Sequence, residues 1–301
     1  MAMGDFFGKT LFGSVLLIVF SLVQFGEFAR DPTSFHFPDV AQMELSDVLN
    51  KDCGCTAFGE DRDRPLEGRL QESPWLVLFY YPEEQIHFCH GTLITTKHVL
   101  TSAVCAMNIV PDETLISLGE YDVGTDQDCE QVKCSDPIQQ RKPSKVIQHE
   151  MYNSETFEND LAIVVLDQDA LLSDSVKPIC LPLIKFEIGK VNLPNVYNAL
   201  WANQSRPQQY WMRYVELEKC RDMVDNLLTL TEGQICASSY RNQTIDMIGG
   251  AGSALEVEYH NRMYQVAMLS IGIQDAEPGT PFVYVDIPKY VKWIHDTVKA
   301  N

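Results

Sequence analysis

Short apolar runs, separated by clusters of Gly, Pro, Asn and Asp, recur along most of the chain. The runs of strand length lie at 75–81, 93–100, 114–118, 161–166, 257–271 and 282–285. Short runs bounded by turn-forming residues are typical of β-strands, and several of them in one chain favour a β-barrel or a β-sandwich. The pattern therefore predicts an all-β body.

The end of the chain has a different period. Apolar residues recur three or four positions apart, with Lys and Asp between them, at Ile287, Tyr290, Val291, Ile294 and Val298. This spacing places the apolar residues on one face of a helix. We expect one amphipathic helix at the C-terminal end of the body.

The N-terminal segment has the pattern of a secretory signal. Lys9 precedes a mostly apolar run over 11–25, and the small residues Gly26 and Ala29 are candidate cleavage points. About 15 apolar positions fit the core of a signal peptide, whereas a membrane-spanning helix needs about 20. We predict a signal peptide at 1–29 and a secreted, extracellular protein; an uncleaved signal anchor is the alternative.

Residues 30–69 predict a flexible leader, because Pro, Ser, Asp and Glu are frequent and no strong period is present. The leader contains Cys53 and Cys55, and the body follows at 70–301. Within the body, Asn203 and Asn242 begin the triplets Asn-Gln-Ser and Asn-Gln-Thr. These triplets are acceptors for N-glycosylation in a secreted chain.

Charge and cysteine content narrow the function classes. The 301 residues include 23 Lys and Arg against 42 Asp and Glu, a formal net charge of −19. Such a charge disfavours binding to nucleic acid or to anionic membranes. Nine cysteines indicate an oxidising compartment, and their odd number leaves one thiol without an intramolecular partner. Cys53 and Cys55 are spaced too closely for the usual zinc pattern, and we expect no metal or cofactor.

Motifs around the cysteines give the body a family resemblance. They are FCHGTLI (88–94), VLTSAVC (99–105), LGEYD (118–122), NDLAI (159–163) and KPICLP (177–182). In this order they resemble the chymotrypsin-type (S1) serine proteases over roughly 70–301. The resemblance implies a chymotrypsin-like double six-stranded β-barrel with a C-terminal α-helix.

An acidic insert at 126–134 resembles the bridged loop of arthropod clip-domain proteases, because it contains Cys129 and Cys134. A clip domain needs six cysteines ahead of the body. Only Cys53 and Cys55 are found there, so we expect the clip-type lineage without the clip domain.

The resemblance also implies disulfide pairs. These are Cys89–Cys105, Cys129–Cys134 and Cys220–Cys236, with Cys180 joined to the leader. Cys53 is favoured as the partner of Cys180, because Cys53-Gly54 is similar to the start of the family's domain. Cys55 is then unpaired, although the exchanged pairing stays open, and the free thiol could link the chain to a second copy.

The catalytic positions of the family are altered. A triad protease needs a serine nucleophile, a histidine base and an aspartate that orients the histidine. The resemblance places Ala251 at the serine, Val104 at the histidine and Asp160 at the aspartate. We therefore expect no catalysis, and a structural role for Asp160 as a buried carboxylate that accepts hydrogen bonds from backbone N–H groups and Ser270.

No other residue is expected to restore activity. Ser253 lies two residues after the nucleophile position, which displaces its hydroxyl by several ångströms. The resemblance places His90, His98 and His149 on elements away from the cleft, as core or surface histidines.

The activation machinery of the family is missing as well. In active members a cleaved Ile-Val-Gly-Gly terminus pairs with the acidic residue before the serine. Here that residue is Gly250, and the corresponding start at 62–68 lacks the motif. Met247 replaces a family cysteine whose usual partner also has no counterpart.

The specificity pocket is predicted to be apolar. Ile245 occupies the position of the acidic residue that binds a basic substrate side chain, and Ile271 lies in the pocket wall. Phe282 replaces a glycine and is expected to fill the pocket. Alternatively, a register one residue away would place Phe282 in ordinary core.

These features predict a non-catalytic protease homologue that acts by binding. The resemblance implies a cofactor or regulator of an immune or melanisation-type cascade, whose partner is an extracellular protein such as a cascade protease or its substrate. An extracellular ligand carrier on the same fold is the alternative. An atypical active endopeptidase is the remaining hypothesis.

Overall fold

The computed structural model describes residues 48–49, 52–56, 66–125, 127–183, 196–201, 204–224, 229–240, 244–272 and 276–301. The predicted signal peptide at 1–29 and both glycosylation acceptors, Asn203 and Asn242, lie outside these residues. Within the described ranges, no helix has the length and apolar character needed to cross a bilayer.

The first half of the body consists of short strands and one short helix. The strands are β1 (Leu76–Tyr81), β2 (Ile86–Leu93), β3 (His98–Thr101), β4 (Leu115–Leu118), β5 (Cys129–Glu130), β6 (Lys133–Cys134), β7 (Gln139–Arg141), β8 (Pro143–Gln148) and β9 (Ala162–Leu166). Helix α1 (Ala103–Ala106) follows β3.

The second half adds six strands, two α-helices and a 3-10 helix among the described residues. The strands are β10 (Val196–Leu200), β11 (Gln208–Val215), β12 (Gln234–Ser239), β13 (Ala254–Tyr259), β14 (Arg262–Leu269) and β15 (Pro281–Asp286). The helices are α2 (Leu217–Val224), the 3-10 helix (Ile287–Tyr290) and α3 (Val291–Ala300).

Two large antiparallel sheets and a two-stranded sheet of β5 and β6 form the described part of the body. The first has the strand order β7-β4-β1-β2-β3-β9-β8. Only Lys142 separates β7 from β8, so a single bent segment joins the two edges of this sheet and makes it barrel-like. The second sheet is a closed barrel with the order β10-β11-β12-β15-β14-β13, and full closure leaves no unpaired edge. The expected chymotrypsin-like arrangement of two barrels is confirmed.

The C-terminal helix forms where its apolar period predicts. Val291, Ile294 and Val298 are buried on α3 in one cluster with residues of both barrels, among them Leu161 and Tyr197. Burying each aliphatic side chain contributes about 1.5–3 kcal/mol. The helix is therefore held by its apolar face, as the sequence predicts.

Two of the predicted strands are wrong in extent. The run at 93–100 is divided between β2 and β3 by a turn. The run at 257–271 is a hairpin of β13 and β14, in which His260 and Asn261 have φ values of 48° and 59° at the turn. Apolar runs do not mark such turns when the turn residues are few and no Gly or Pro is present.

Four disulfides join the cysteine pairs that the resemblance implies. They are Cys53–Cys180, Cys89–Cys105, Cys129–Cys134 and Cys220–Cys236. Cys55 is free and partly exposed.

The described parts of the leader are packed on the body, so the expectation of a flexible leader does not hold for them. Leu49 is fully buried in the main core cluster. The N–H of Gly54 donates to the Pro178 carbonyl at 2.8 Å, and the Met263 N–H donates to the Gly54 carbonyl at 2.9 Å. Glu67 forms a bridge with β11. These backbone contacts explain the ordering, which composition alone does not predict.

Candidate functional site

Asp160 lies just before β9 and is fully buried. Its carboxylate accepts hydrogen bonds from the Val104 backbone N–H at 2.9 Å and from the Ser270 hydroxyl. Burial raises the pKa of Asp160 to about 6, although these hydrogen bonds oppose the rise. The carboxylate is thus held by fixed donors from both barrels, without a histidine.

Helix α1 positions Val104 beside this carboxylate. The Ser102 hydroxyl caps the helix by accepting from the Cys105 N–H at 3.1 Å. Val104 is partly exposed, and its side chain has no atom that can take a proton. Val104 is the residue predicted for the position of the histidine base, and a valine side chain cannot accept a proton.

The loop at 247–253 carries Ala251 at the nucleophile position. Gly249 and Gly252 have φ values of +74° and +86°, the region that favours glycine. A Cβ atom at Gly252 would lie 2.0 Å from the His90 carbonyl oxygen, so the loop closely approaches β2. Ala251 is partly buried and packs against the apolar core of the first barrel. A methyl group cannot attack a carbonyl carbon.

Ser253 is not a substitute nucleophile. It is fully buried, and its hydroxyl accepts a hydrogen bond from the Asn198 amide at 2.9 Å. The Tyr284 hydroxyl donates to the same amide at 2.8 Å. Ser253 therefore belongs to a buried polar network of the second barrel.

His90 lies beneath the nucleophile loop, so its expected place away from the cleft is wrong. Its Nδ1 donates to the Gly249 carbonyl at 2.8 Å, and its Nε2 accepts from the Trp201 N–H at 3.1 Å. Its backbone N–H donates to the Ala251 carbonyl at 2.9 Å. Burial lowers the pKa of His90 to about 4, so the ring is neutral at physiological pH. Sequence reasoning missed this contact because 159 residues separate His90 from Gly249.

The other two histidines are buried elsewhere. His98 bonds the Thr95 hydroxyl at 2.8 Å. His149 packs edge-on against the Tyr290 ring, with 5.6 Å between ring centroids. Neither is bonded to the nucleophile loop.

Apolar side chains fill the space beside Gly250. A Cβ atom there would lie 2.6 Å from Cδ1 of Leu200 and 3.2 Å from Cδ2 of Leu269. Both leucines are fully buried. An acidic side chain paired with a charged chain terminus has no room in this region, and an uncompensated buried charge would be costly.

The two segments predicted to form the walls of the specificity pocket touch each other. A Cβ atom at Gly272 would lie 1.7 Å from the Met247 carbonyl oxygen, so the backbones of the two segments are in direct contact. The N–H of Ile245 also donates to the Ala276 carbonyl at 3.1 Å, and the reverse bond is 2.9 Å. A substrate side chain cannot pass between segments this close.

Phe282 lies in the buried core of the second barrel. It pairs with Ala237 between β15 and β12 and is 1 % exposed. It also shares one buried apolar cluster with Ile245 and Met247. Ile271 is partly exposed at the rim. Met247 and Ala276 are buried in the same cluster.

No group of three or more His, Cys, Asp or Glu residues in the described part of the chain has the geometry of a metal site. In the acidic insert, moreover, the Asp128 carboxylate forms hydrogen bonds within the protein. Asp128 is 1 % exposed and accepts from the Tyr121 and Asp122 N–H groups at 2.9 and 3.1 Å. Asp122 in turn pairs with Arg206 at 2.8 Å.

Comparison with protein-family models identifies the architecture. The model named Trypsin matches residues 66–294, about three quarters of the chain. The chain belongs to the trypsin family. The matched range contains both barrels, Val104, Asp160 and Ala251.

The chain is similar to several arthropod proteases. The serine protease grass of Drosophila melanogaster is 26 % identical over 86 % of this chain and 73 % of its own. The proclotting enzyme of Tachypleus tridentatus is 27 % identical over 73 % of this chain and 62 % of its own. The crystal structure of Drosophila Grass, a clip serine protease of the Toll pathway, superposes with a TM-score of 0.71 at 25 % identity, covering 84 % of this chain and 76 % of that one.

Proposed function

We propose that this chain is a secreted, non-catalytic member of the trypsin family that acts by binding, as a cofactor or regulator in an extracellular protease cascade. The observation that carries the proposal is the replacement of both reacting groups, since Val104 and Ala251 occupy the base and nucleophile positions. Removing either group from a triad costs on the order of 10⁶-fold in kcat.

The pocket geometry supports the same conclusion independently. Contact between the Gly272 and Met247 backbones leaves no slot for a substrate side chain. The buried leucines beside Gly250 leave no site for an inserted terminus. Restoring the two reacting groups alone would therefore not restore the means of binding a substrate.

The cascade role rests on the relatives. Their names place one in the Toll pathway and another in clotting. A fold-matched chain without catalytic groups can still present a protease-like surface to the partners of such enzymes.

The test compares wild type with the Val104→His/Ala251→Ser double variant, using fluorogenic peptides and a covalent active-site serine probe. We expect no turnover and no labelling of wild type, and no turnover by the variant because the pocket stays closed. Labelling of wild type at any serine would overturn the proposal. Crosslinking in the native extracellular fluid then identifies the partner.

The alternative, an extracellular ligand carrier, has one favourable observation. An open groove of about 520 Å³ lies on the second barrel, lined by residues that include Arg213, Tyr214, Lys219 and Met223. Its volume is within the usual range for small-molecule sites. A ligand that copurifies with the protein and is displaced by Tyr214→Ala would favour this function.

A further inference from the structure

An apolar patch is exposed at one end of the first barrel. Ile86, Met107 and Val110 are 51 %, 55 % and 41 % exposed. We call these three residues, together with Tyr81, the Tyr81 patch. Single exposed apolar residues are ordinary, but a contiguous group marks an interaction site.

Contacts show that the Tyr81 patch is one surface. Tyr81 lies opposite Ile86 in the hairpin of β1 and β2. The Tyr81 hydroxyl donates to the Asn108 carbonyl, which lies between Met107 and Val110 in the chain. The hairpin end and the loop after α1 are therefore held together through Tyr81.

Four exposed carboxylates surround this patch. They are Glu83 and Glu84 in the hairpin and Asp112 and Glu113 after α1. None of them forms an ion pair with another described residue. Burial raises the pKa of Tyr81, and the charges of Glu113 and Glu84 raise it further, which places both carboxylates near its hydroxyl.

A second exposed apolar pair provides a contrast. Leu171 and Leu172 are 70 % and 47 % exposed on the same barrel. There, Lys177 neutralises the nearby Asp174 at 2.9 Å, and Arg141 donates to the Asp169 carbonyl at 3.2 Å. Lys177 and Arg141 thus supply positive charge near Leu171 and Leu172. The four carboxylates near the Tyr81 patch, by contrast, form no ion pair with another described residue.

The patch adjoins the triad positions. The Asn108 amide donates to the Val104 carbonyl at 3.0 Å, one turn along from the position of the missing base. A partner that docks on the Tyr81 patch would lie beside the closed cleft.

We propose that the Tyr81 patch binds a partner-protein segment in which Lys or Arg residues flank an aliphatic residue. The aliphatic side chain contacts Ile86 and Met107, and the cations pair with Glu84 and Glu113. The inference rests on the proposed binding function and specifies the chemistry of the partner.

Charge argues against two other occupants. A second copy carries the same −19 charge and the same carboxylates, so patch-to-patch pairing would be repulsive. The leader over 30–52 has five acidic and two basic residues and is disfavoured for the same reason. A basic segment is complementary both to the carboxylates and to the overall charge.

The experiment measures fluorescence anisotropy of a short labelled peptide of alternating Lys and Leu residues titrated with the full chain. Matched peptides have Glu in place of Lys, or Ser in place of Leu. We expect binding of the Lys–Leu peptide only, weakened by added salt. Ile86→Ser/Met107→Ser and Glu84→Gln/Glu113→Gln should each weaken it about tenfold, equivalent to about 1.4 kcal/mol. Leu171→Ser/Leu172→Ser is the matched control and should bind as wild type does.

Several results would overturn the inference. Equal binding of the Glu peptide, or equal weakening by the control variant, would show adhesion without a specific site. A dimer in sedimentation velocity that Ile86→Ser/Met107→Ser dissociates would make a second copy the occupant. All substituted residues are exposed, and thermal denaturation checks that the variants remain folded. Turnover is assayed separately, so failure of this inference and failure of the proposed function are distinguishable.

Discussion

The two sides of the triad region differ in what they retain. On the first barrel, the Asp160 carboxylate accepts hydrogen bonds from the Val104 N–H and the Ser270 hydroxyl, and valine occupies the position predicted for the histidine. On the second barrel, the nucleophile loop is held from below by His90, and the pocket walls are in contact. A buried carboxylate such as that of Asp160 is stable as long as its hydrogen-bond donors are present. A pocket that binds no substrate side chain can instead be filled by close-packed apolar side chains.

The largest expected effect comes from forcing the pocket walls apart. Gly272→Ala would place a Cβ atom 1.7 Å from the Met247 carbonyl oxygen. We expect a loss of about 3 kcal/mol in the free energy of unfolding, measured by urea denaturation, because overpacking against backbone requires backbone shifts. The control is Gly249→Ala, which has φ +74° but open space around its Cβ. It should cost only about 1 kcal/mol. Equal losses would contradict a closed pocket.

His90→Leu tests the support beneath the nucleophile loop. The substitution leaves the Gly249 carbonyl and the Trp201 N–H without their bonds to the ring. A loss of about 2–3 kcal/mol is expected at neutral pH, since each unsatisfied buried group costs about 1–3 kcal/mol.

The pH dependence of the free energy of unfolding tests the role of His90 more specifically than its value at neutral pH. Its folded pKa of about 4 lies below the usual 6.5, so the unfolded chain binds more protons between these values. Its contribution to stability is complete above pH 6.5 and is lost as pH falls towards 4. In wild type the opposite contribution of Asp160 masks this slope, so the stability of His90→Leu should fall as pH rises from about 4 to about 6. An unchanged slope would show that His90 is not the titrating group.

Asp160→Asn should change the pH profile in the opposite sense. The folded pKa of about 6 exceeds the usual 3.8, so the folded chain binds more protons between these values. Asp160 therefore makes the protein less stable as pH rises from 3.8 to 6, and the variant should lack that decline. In wild type the pH-dependent contributions of His90 and Asp160 to stability have opposite signs. The urea midpoints of His90→Leu and Asp160→Asn should therefore change in opposite directions as pH rises over this range. Parallel curves would contradict the assignment.

The smallest expected effect concerns the free thiol. Cys55 is partly exposed and forms none of the four disulfides. Cys55→Ser should change stability by less than about 0.5 kcal/mol, as for surface substitutions generally. Non-reducing electrophoresis measures its other predicted consequence, the loss of a disulfide-linked dimer. A dimer that persists in the variant would show that Cys55 does not form the link.

Much of the architecture was predictable because motifs and cysteines are local patterns. The cysteine motifs implied three of the four disulfides and favoured the fourth, and the period at Ile287 to Val298 located α3. The apolar pattern did not predict α2, whose only buried residues among its eight are Cys220 and Val224. It also missed β10 to β12, where polar residues such as Asn198 and Gln209 are buried in hydrogen-bonded or close-packed settings.

The acidic insert shows why charge counts do not predict surface chemistry. Its carboxylates add to the net charge of −19. In the folded chain Asp128 is buried and holds backbone N–H groups, and Arg206 neutralises Asp122. The four carboxylates near the Tyr81 patch, by contrast, form no ion pair with another described residue.

The sequence by itself predicted the loss of catalysis, because a valine or an alanine cannot act as a base or a nucleophile in any fold. The order and spacing of its motifs also identified the family and three of the disulfides, whereas the structure decided that Cys53 is the partner of Cys180. Only the tertiary structure decided that His90 supports the nucleophile loop, that the pocket walls meet, and that the Tyr81 patch forms one surface. These features depend on contacts between residues that are distant in the chain. The local sequence does not indicate which distant residues will be neighbours in the folded protein.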